Sequence, residues 1–418
     1  MSTGQVSGTP LSFRWRLGGA LALAIVAYAL YWNVLVAVAD WHFHAGTPQS
    51  IHRAMRIAPG NPEYYNGMAL ADPASAVPSL EQAARLSPVN SDYRIELALA
   101  AEQAGDLTKA EASFREARRL DRTFVPSFAL AEFYARHHQG EKFWQPARTA
   151  LEMSFGDVTD LFRDCWALSS DARAIFDRAI PERPAVLTRY LDFLVGENRL
   201  DAAAPIAAKL REKADSGAAL LRYCDRLLAS GRGEEAMEIW KGLAVRKLIP
   251  YRPDSLFAGA EALTNGDFGQ PPLKSGFDWR FAETGGIDID REGQPPAISV
   301  TFTGKQPESS EILSQYVALL PDREYQLSVK YRTRDIAEQS GLSCVLVASD
   351  SRDLLDGSGV VQGGAENDRE LTFRFRTKTT TKVARLVFTY RRMTGTMRIE
   401  GNLILRRFSV RLIADGSR

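Results

Sequence analysis

The sequence predicts a multidomain α plus β protein: an N-terminal transmembrane helix, an α-solenoid of helix pairs, and a C-terminal antiparallel β-sandwich. Three observations predict it. Residues 17–39 contain no charged side chain. From about Ile51 to Tyr251, apolar residues recur at helical spacing in a chain rich in Ala, Leu, Arg and Glu. After Tyr251-Arg252-Pro253 the apolar period falls to two, the spacing of half-buried strands. The chain is long enough for several domains at 418 residues, and its 45% hydrophobic and 25% charged content suits packed cores. The formal net charge of +1 gives no global field that would favour nucleic acid, so no nucleic-acid partner is expected.

The N-terminal run is "RWRLGGALALAIVAYALYWNVLVAVADW". A helix crosses a bilayer with roughly 20 apolar residues, so residues 17–39 suffice. Trp15 and Trp41 stand where interfacial aromatics belong, and Arg14 and Arg16 precede the span without an acid. The positive-inside rule then places residues 1–16 in the cytoplasm and everything after Asp40 outside. Ala37-Val38-Ala39 matches a signal-peptidase site, but the apolar run is longer than an ordinary signal-peptide core. An uncleaved signal anchor is therefore the expectation.

Residues 46–252 are expected to form the helical repeats. Within Ser91–Arg122, Leu97 and Ala98 fall on a first helix, and Gly105-Asp106 makes a turn. Ala110, Phe114 and Ala117 follow on a second helix, which Leu120-Asp121 closes. Small residues at 98, 110 and 117 would let two helices approach, with Phe114 filling the gap between pairs. This pattern resembles the tetratricopeptide repeat (TPR), of period about 34 residues. Arg122 stands where that repeat usually closes with proline. The pattern recurs with Gly196, Ala203, Ala207 and Leu210, and again with Gly231, Ala236, Trp240 and Leu243. In "PSFALAEFYARHHQGEKFWQPARTALEM", Trp144 and Pro146 are read as starting a second helix. Phe155–Arg183 is degenerate, and five or six helix pairs are expected in all. The resemblance implies a curved surface suited to peptides or partner proteins. A solenoid that only spaces and supports the next domain is the other reading, and the sequence leaves both open.

Five histidines and three cysteines complete this inventory. His42, His44 and His52 cluster near the span, and His137-His138 lie in a loop-like stretch. They lack convergent metal-ligand spacing and are expected to be solvated or interfacial. Cys165, Cys224 and Cys344 fit neither a zinc motif nor a disulfide framework and are read as buried small hydrophobes. A Cys165–Cys224 bridge is the less favoured alternative.

Residues 255–418 carry the alternating strands. "AISVTFTG" sets Ile298, Val300 and Phe302 against polar neighbours, and "EYQLSVKYRT" does so with Tyr325, Leu327, Val329 and Tyr331. "ELTFRFRT", "ARLVFTYR" and "GNLILRRFSVRL" continue the series. Short strands separated by Gly and Pro turns indicate two packed sheets, with eight to ten strands at this length. "NGDF" at 265–268, "GFDW" at 276–279 and then "SQYVALLPDREYQLSVKYRT" resemble jelly-roll carbohydrate-binding modules, in order, across the domain. That resemblance implies a polysaccharide ligand. Gly269 replaces the Glu that commonly helps such modules hold calcium, so no metal and no other cofactor is expected. Asp267, Asp288, Asp290 and Glu292 are read as a solvated acidic loop rather than ligands.

The candidate glycan-binding residues are Trp279, Asp278, Tyr316, Arg374 and Arg376. Sugar rings stack on exposed aromatic faces, and polar or charged side chains take the hydroxyls. Trp279 lies beside glycine and Asp278 and is the leading exposed aromatic, whereas Tyr331 and Tyr390 fall in register with core positions. From Arg369 to Arg411 the chain has twelve Lys and Arg against Glu370 and Glu400. If Arg374, Arg376, Arg385 and Arg406 share a face, an anionic glycan or lipid headgroup would find a surface there. Pairing with the acids of 335–368 is the favoured alternative.

No catalytic residue is assigned, and a non-enzyme is expected. In "GIDIDREG" an acid-x-Asp-x-x-acid strand would need its last acid at 293, which is Gly293. The domain contains no histidine for a Ser-His-Asp triad. The combination of elements resembles scaffold components of bacterial systems that assemble or export surface polysaccharide. By that analogy the chain is a single-pass inner-membrane protein with periplasmic or extracellular C-terminal domains. Its solenoid would bind a protein partner and its sandwich a polysaccharide. The alternatives are a purely structural assembly factor and a diverged glycoside hydrolase.

Overall fold

A computed structural model describes residues 13–213, 216–252, 261–349, 353–364 and 366–413. Most of the expected cytoplasmic segment 1–16, the side chains of Arg14, Trp15 and Arg16, and the expected sandwich start at residue 255 lie outside the described residues. The described residues form an apolar N-terminal helix, a series of helix pairs and a two-sheet antiparallel sandwich. Contacts divide the chain into two compact units, Met1–Pro181 and Glu182–Arg418, so the last four helices belong with the sandwich.

In the first unit, α1 (Phe13–His44) is long and apolar enough over Ala20–His44 to cross a membrane. The helix does not stop at Asp40, where the apolar run ends. It continues one turn so that Ala39 and Phe43 pack on Ala54 of α2 (Pro48–Ile57) and Tyr64 of α3 (Pro62–Ala71). The Asp40 carboxylate accepts a 2.5 Å hydrogen bond from the Tyr64 hydroxyl. Six pairs follow: α3 with α4 (Ala76–Leu86), α5 (Ser91–Gln103) with α6 (Leu107–Leu120), and α7 (Phe124–Arg136) with α8 (Gly140–Met153). Then come α9 (Thr159–Leu168) with α10 (Ala172–Ala179), α11 (Pro184–Gly196) with α12 (Leu200–Leu210), and α13 (Gly217–Ala229) with α14 (Gly233–Val245). The degenerate stretch is thus a helix pair of its own.

Four of these pairs share one turn chemistry. Gly105, His138, Asn198 and Gly231 each have positive φ, and each stands five residues before a buried Ala110, Phe143, Ala203 or Ala236. The left-handed conformation suits Gly and tolerates Asn or His, which explains this choice of residues. It also corrects the register: Asn198, not Gly196, is the counterpart of Gly105 and Gly231. Ala98, Ala110, Phe114 and Ala117 are fully buried, as the repeat pattern requires. Pro146 does not start its helix. The α8 helix begins at Gly140 and carries Pro146 in its interior. All three cysteines are free and buried.

The sandwich comprises β1 (Arg280–Phe281), β2 (Ile287–Glu292), β3 (Ala297–Thr303), β4 (Ser309–Ala318) and β5 (Glu324–Arg334). It continues with β6 (Leu342–Ala348), β7 (Leu354–Val361), β8 (Arg369–Arg376), β9 (Val383–Arg391) and β10 (Glu400–Leu412). Sheet I runs β1-β4-β9-β6-β7 and sheet II runs β2-β3-β10-β5-β8, antiparallel throughout. Alternate residues enter one core: Ile298, Val300, Leu327, Val329, Leu403 and Leu405 from sheet II meet Cys344, Leu346, Leu386 and Phe388 from sheet I. Asp288, Asp290 and Glu292 are exposed along strand β2, not in a loop.

The "NGDF" turn closes the core. Asn265 is left-handed, and its side chain bonds the Gln270 backbone twice, at 2.8 and 3.0 Å. Gly266 lies so close to β10 that a Cβ there would meet the Phe408 oxygen at 2.4 Å. Gln315 is fully buried and donates to the Thr264 and Phe277 carbonyls at 2.6 and 2.8 Å, which pins both ends of the segment to β4.

Within the second unit this same segment joins α13 and α14. The Asp225 carboxylate on α13 accepts from the Ser275 hydroxyl, the Gly276 amide and the Arg280 guanidinium at 2.6, 2.7 and 2.5 Å. Trp240 on α14 packs against Tyr251 and Phe277. The crowding of Gly, Pro and aromatics at 263–281 therefore serves two packing surfaces at once.

Candidate functional site

The structure overturns the predicted stacking site. Trp279 is fully buried between Phe268 and Phe408, with ring centroids at 5.3 and 4.7 Å, and its indole N–H donates to the Asn265 carbonyl at 2.9 Å. No ring face is left for a sugar. Asp278 is also fully buried. Its carboxylate accepts from the Tyr251 hydroxyl, the Leu273 amide and the Trp279 amide at 2.6, 2.6 and 2.8 Å. Burial pushes the Asp278 carboxyl above the ordinary range, against the opposing pull of these hydrogen bonds. It is a structural acid. Tyr316 is half-buried, and the Arg280 guanidinium sits 5.0 Å over its ring. Tyr331 and Tyr390 are core residues.

Arg374 and Arg376 are exposed on β8, where Glu324 and Asp322 lie 3.9 and 3.0 Å away. Their expected partner Arg385 belongs to sheet I instead, paired with Glu311. Arg406 is on sheet II and pairs with Asp368 at 3.1 Å. Most cations of the basic stretch are thus neutralised, chiefly by acids other than those of 335–368: Lys382 by Glu234, Arg392 by Glu308 and Arg411 by Glu261. Exposed pairs of this kind contribute little to stability, on the order of 0–1 kcal/mol each.

What is left is a depression on the outer face of sheet II. It measures 380 Å³ and is lined by Gln326, Ser328, Lys330, Arg407, Ser409 and Arg411, with one carboxylate, Glu370, among them. The alternation of β5 aims Gln326, Ser328 and Lys330 outward, since Tyr325, Leu327, Val329 and Tyr331 are buried. On β10 a register shift between Leu405 and Arg407 sets one extra residue against β5. Such a bulge re-aims side chains. Here Arg406 and Arg407 both leave the core, Arg406 toward Asp368, while Arg407 stands directly opposite Lys330. Neither Lys330 nor Arg407 has an ion-pair partner among the described residues. Like charges directly opposite one another destabilise a sheet. Lys330 also stands opposite Glu370 of β8, which offsets part of that cost on one side.

The sequence contained the signal for Lys330 in the period-two pattern of β5. It contained none for the pairing of Lys330 with Arg407, because a bulge of one residue is invisible in composition.

No family model matches the chain, and no curated protein matches it. Among solved structures, it is similar over 36% of its length to a whole carbohydrate-binding module described as "CBM4 structure and function", at 12% identity and a TM-score of 0.28. It is similar over 49% of its length to 95% of YrrB, "a TPR protein with an unusual peptide-binding site", at 13% identity and a TM-score of 0.25. A module from Cellvibrio mixtus lichenase 5A in complex with cellotriose matches 31% of this chain and 90% of its own length, at 7% identity and a TM-score of 0.21. These are partial likenesses to a TPR protein and to carbohydrate-binding modules.

Proposed function

We propose that the chain is a non-enzymatic, membrane-tethered scaffold. Its helix pairs engage a protein partner, and its sandwich holds an acidic polysaccharide on the outer face of sheet II. The apolar α1 helix supports the tether, and the arginines before the span support an orientation with the sandwich outside; a bacterial inner membrane is part of the proposal. A role in assembling or exporting surface polysaccharide is part of the same proposal.

The observation that carries the glycan reading is the facing Lys330–Arg407 couple, set by a bulge in a depression that also holds Gln326, Ser328, Ser409 and the single acid Glu370 opposite Lys330. Hydroxyl and amide groups suit sugar hydroxyls, and two facing cations suit a carboxylate or phosphate substituent. No fully exposed aromatic residue occurs among the described residues of the sandwich, so stacking on a neutral glycan is not what this face offers.

That same lack of exposed aromatics favours a second reading, a sandwich that binds only protein in an assembly role. Binding of the full chain in detergent micelles to a polyuronate and to a neutral glucan, at low and high salt, separates the two. Salt-sensitive binding of the polyuronate alone is expected. Equal indifference to both polymers would leave the assembly factor.

A further inference from the structure

We propose that the groove between α6 and α8 receives an acidic segment of a partner protein in extended conformation. The inference deepens the reading that the helix pairs engage a protein, and it gives that partner a charge and a place.

The groove has a volume of about 1180 Å³. Its walls are α6 and α8, and Leu130 and Tyr134 of α7 form its floor. At neighbouring gaps between second helices, ion pairs reach across: Lys109 of α6 to Glu81 of α4 at 2.8 Å, and Arg178 of α10 to Glu141 of α8 at 2.6 Å. One end of the α6–α8 gap is closed in the same way by Lys142 and Glu111 at 2.9 Å. The other end is not. There α6 presents Arg115 and Arg118 and the linker after it Arg122, while α8 presents the neutral Gln145 and Thr149; Arg115 lies 3.9 Å from Glu111, and Glu116, which also lines the groove, pairs with Arg119 at 2.8 Å. The Arg118 guanidinium reaches only the Thr149 hydroxyl, at 3.5 Å. Neither Arg118 nor Arg122 has an ion pair among the described residues.

A half-buried guanidinium without a carboxylate is costly, and Arg122 nearby adds to the cost. Burial accordingly pushes the Arg118 guanidinium below its ordinary range. Arg115 and Arg118 stand one turn apart on α6, and Arg122 follows in the extended linker just past the Asp121 cap, lining the same groove. A strand rises about 3.3 Å per residue, so alternate side chains of an extended segment fall about 6.6 Å apart on one face, a spacing that suits successive cations along one wall. Carboxylates at alternate positions would meet the cations, and Leu130, Tyr134 and Pro146 give the backbone an apolar floor. A single small anion would leave most of the groove empty.

The probe is a fluorescein-labelled peptide of alternating Asp and Ser, with its Asn counterpart as control, titrated into the full chain in detergent micelles. The Asp peptide is expected to bind and to weaken with salt, and the Asn peptide is not. R118Q/R122Q should weaken binding at least tenfold. Thr149→Glu should do the same while keeping or raising the melting temperature, because it supplies Arg118 with an internal partner. That second variant keeps the test valid if the first fails to fold. Equal binding of the two peptides, or undiminished binding by a folded Thr149→Glu, would overturn the proposal. A photo-crosslinker at Gln145, compared in cells with one at Glu132, separates it from the broader reading. Products from Glu132 alone refute the groove and keep a protein partner. Products from neither remove both.

Discussion

Trp279 is where residue chemistry and sequence pattern part. A tryptophan flanked by Gly, Phe and Asp reads as a loop aromatic, yet Phe268, Phe408 and the Asn265 carbonyl enclose it completely. Trp279→Ala is therefore expected to cost about 3–5 kcal/mol of stability, visible in thermal denaturation, instead of a selective loss of glycan binding. Glu102 gives the pH counterpart. It accepts from Arg136 and His137 at 2.8 Å each, and the Arg136 hydrogen bond is the main cause that holds its carboxyl below the ordinary range. Its folded-state pKa lies below the unfolded value of about 4.3, so this stabilisation is present above that pH and lost as pH falls through the folded value. Glu102→Gln should lower the melting temperature at pH 7, and the difference from the parent chain should shrink as the pH drops below about 4. A constant difference across that range would contradict the assignment.

At the scale of elements, the periodic segments were legible and the joints were not. The strands quoted from the sequence correspond to β3, β5, β8, β9 and β10, because each buries one face and the two-residue period records that burial directly. The small residues of the repeat were legible for the same reason: Ala98, Ala110 and Ala117 are all fully buried. Ala110→Trp should accordingly break the α5–α6 pair, through overpacking of roughly 1–3 kcal/mol or more, and an unaltered melting curve would contradict the register. The degenerate stretch hid α9 and α10 because its helices are short, at ten and eight residues, and no left-handed Gly, Asn or His marks the turn between them. The role of Asp225 was illegible, since its three donors lie 50 or more positions away in sequence. Asp225→Ala is expected to cost roughly 1.5–3 kcal/mol and to raise hydrogen exchange at 273–280, the segment it holds.

For the whole molecule, the second compact unit begins at Glu182, so its four helices and the sandwich share one folded body. A fragment starting at Glu182 should melt cooperatively at a higher temperature than one starting at Ser255, which lacks Asp225 and Trp240. The scaffold proposal rests on this construction: an apolar helix, helix pairs with a basic groove, and a sheet face with two facing cations lie on one chain. The proposed glycan site is the Lys330–Arg407 couple. The measurement that tests it most directly is polyuronate binding by the full chain carrying Lys330→Glu and Arg407→Glu, with thermal stability recorded alongside. A loss of at least tenfold in affinity at an unchanged melting temperature is the result this account predicts. Undiminished binding by the folded variant would contradict it.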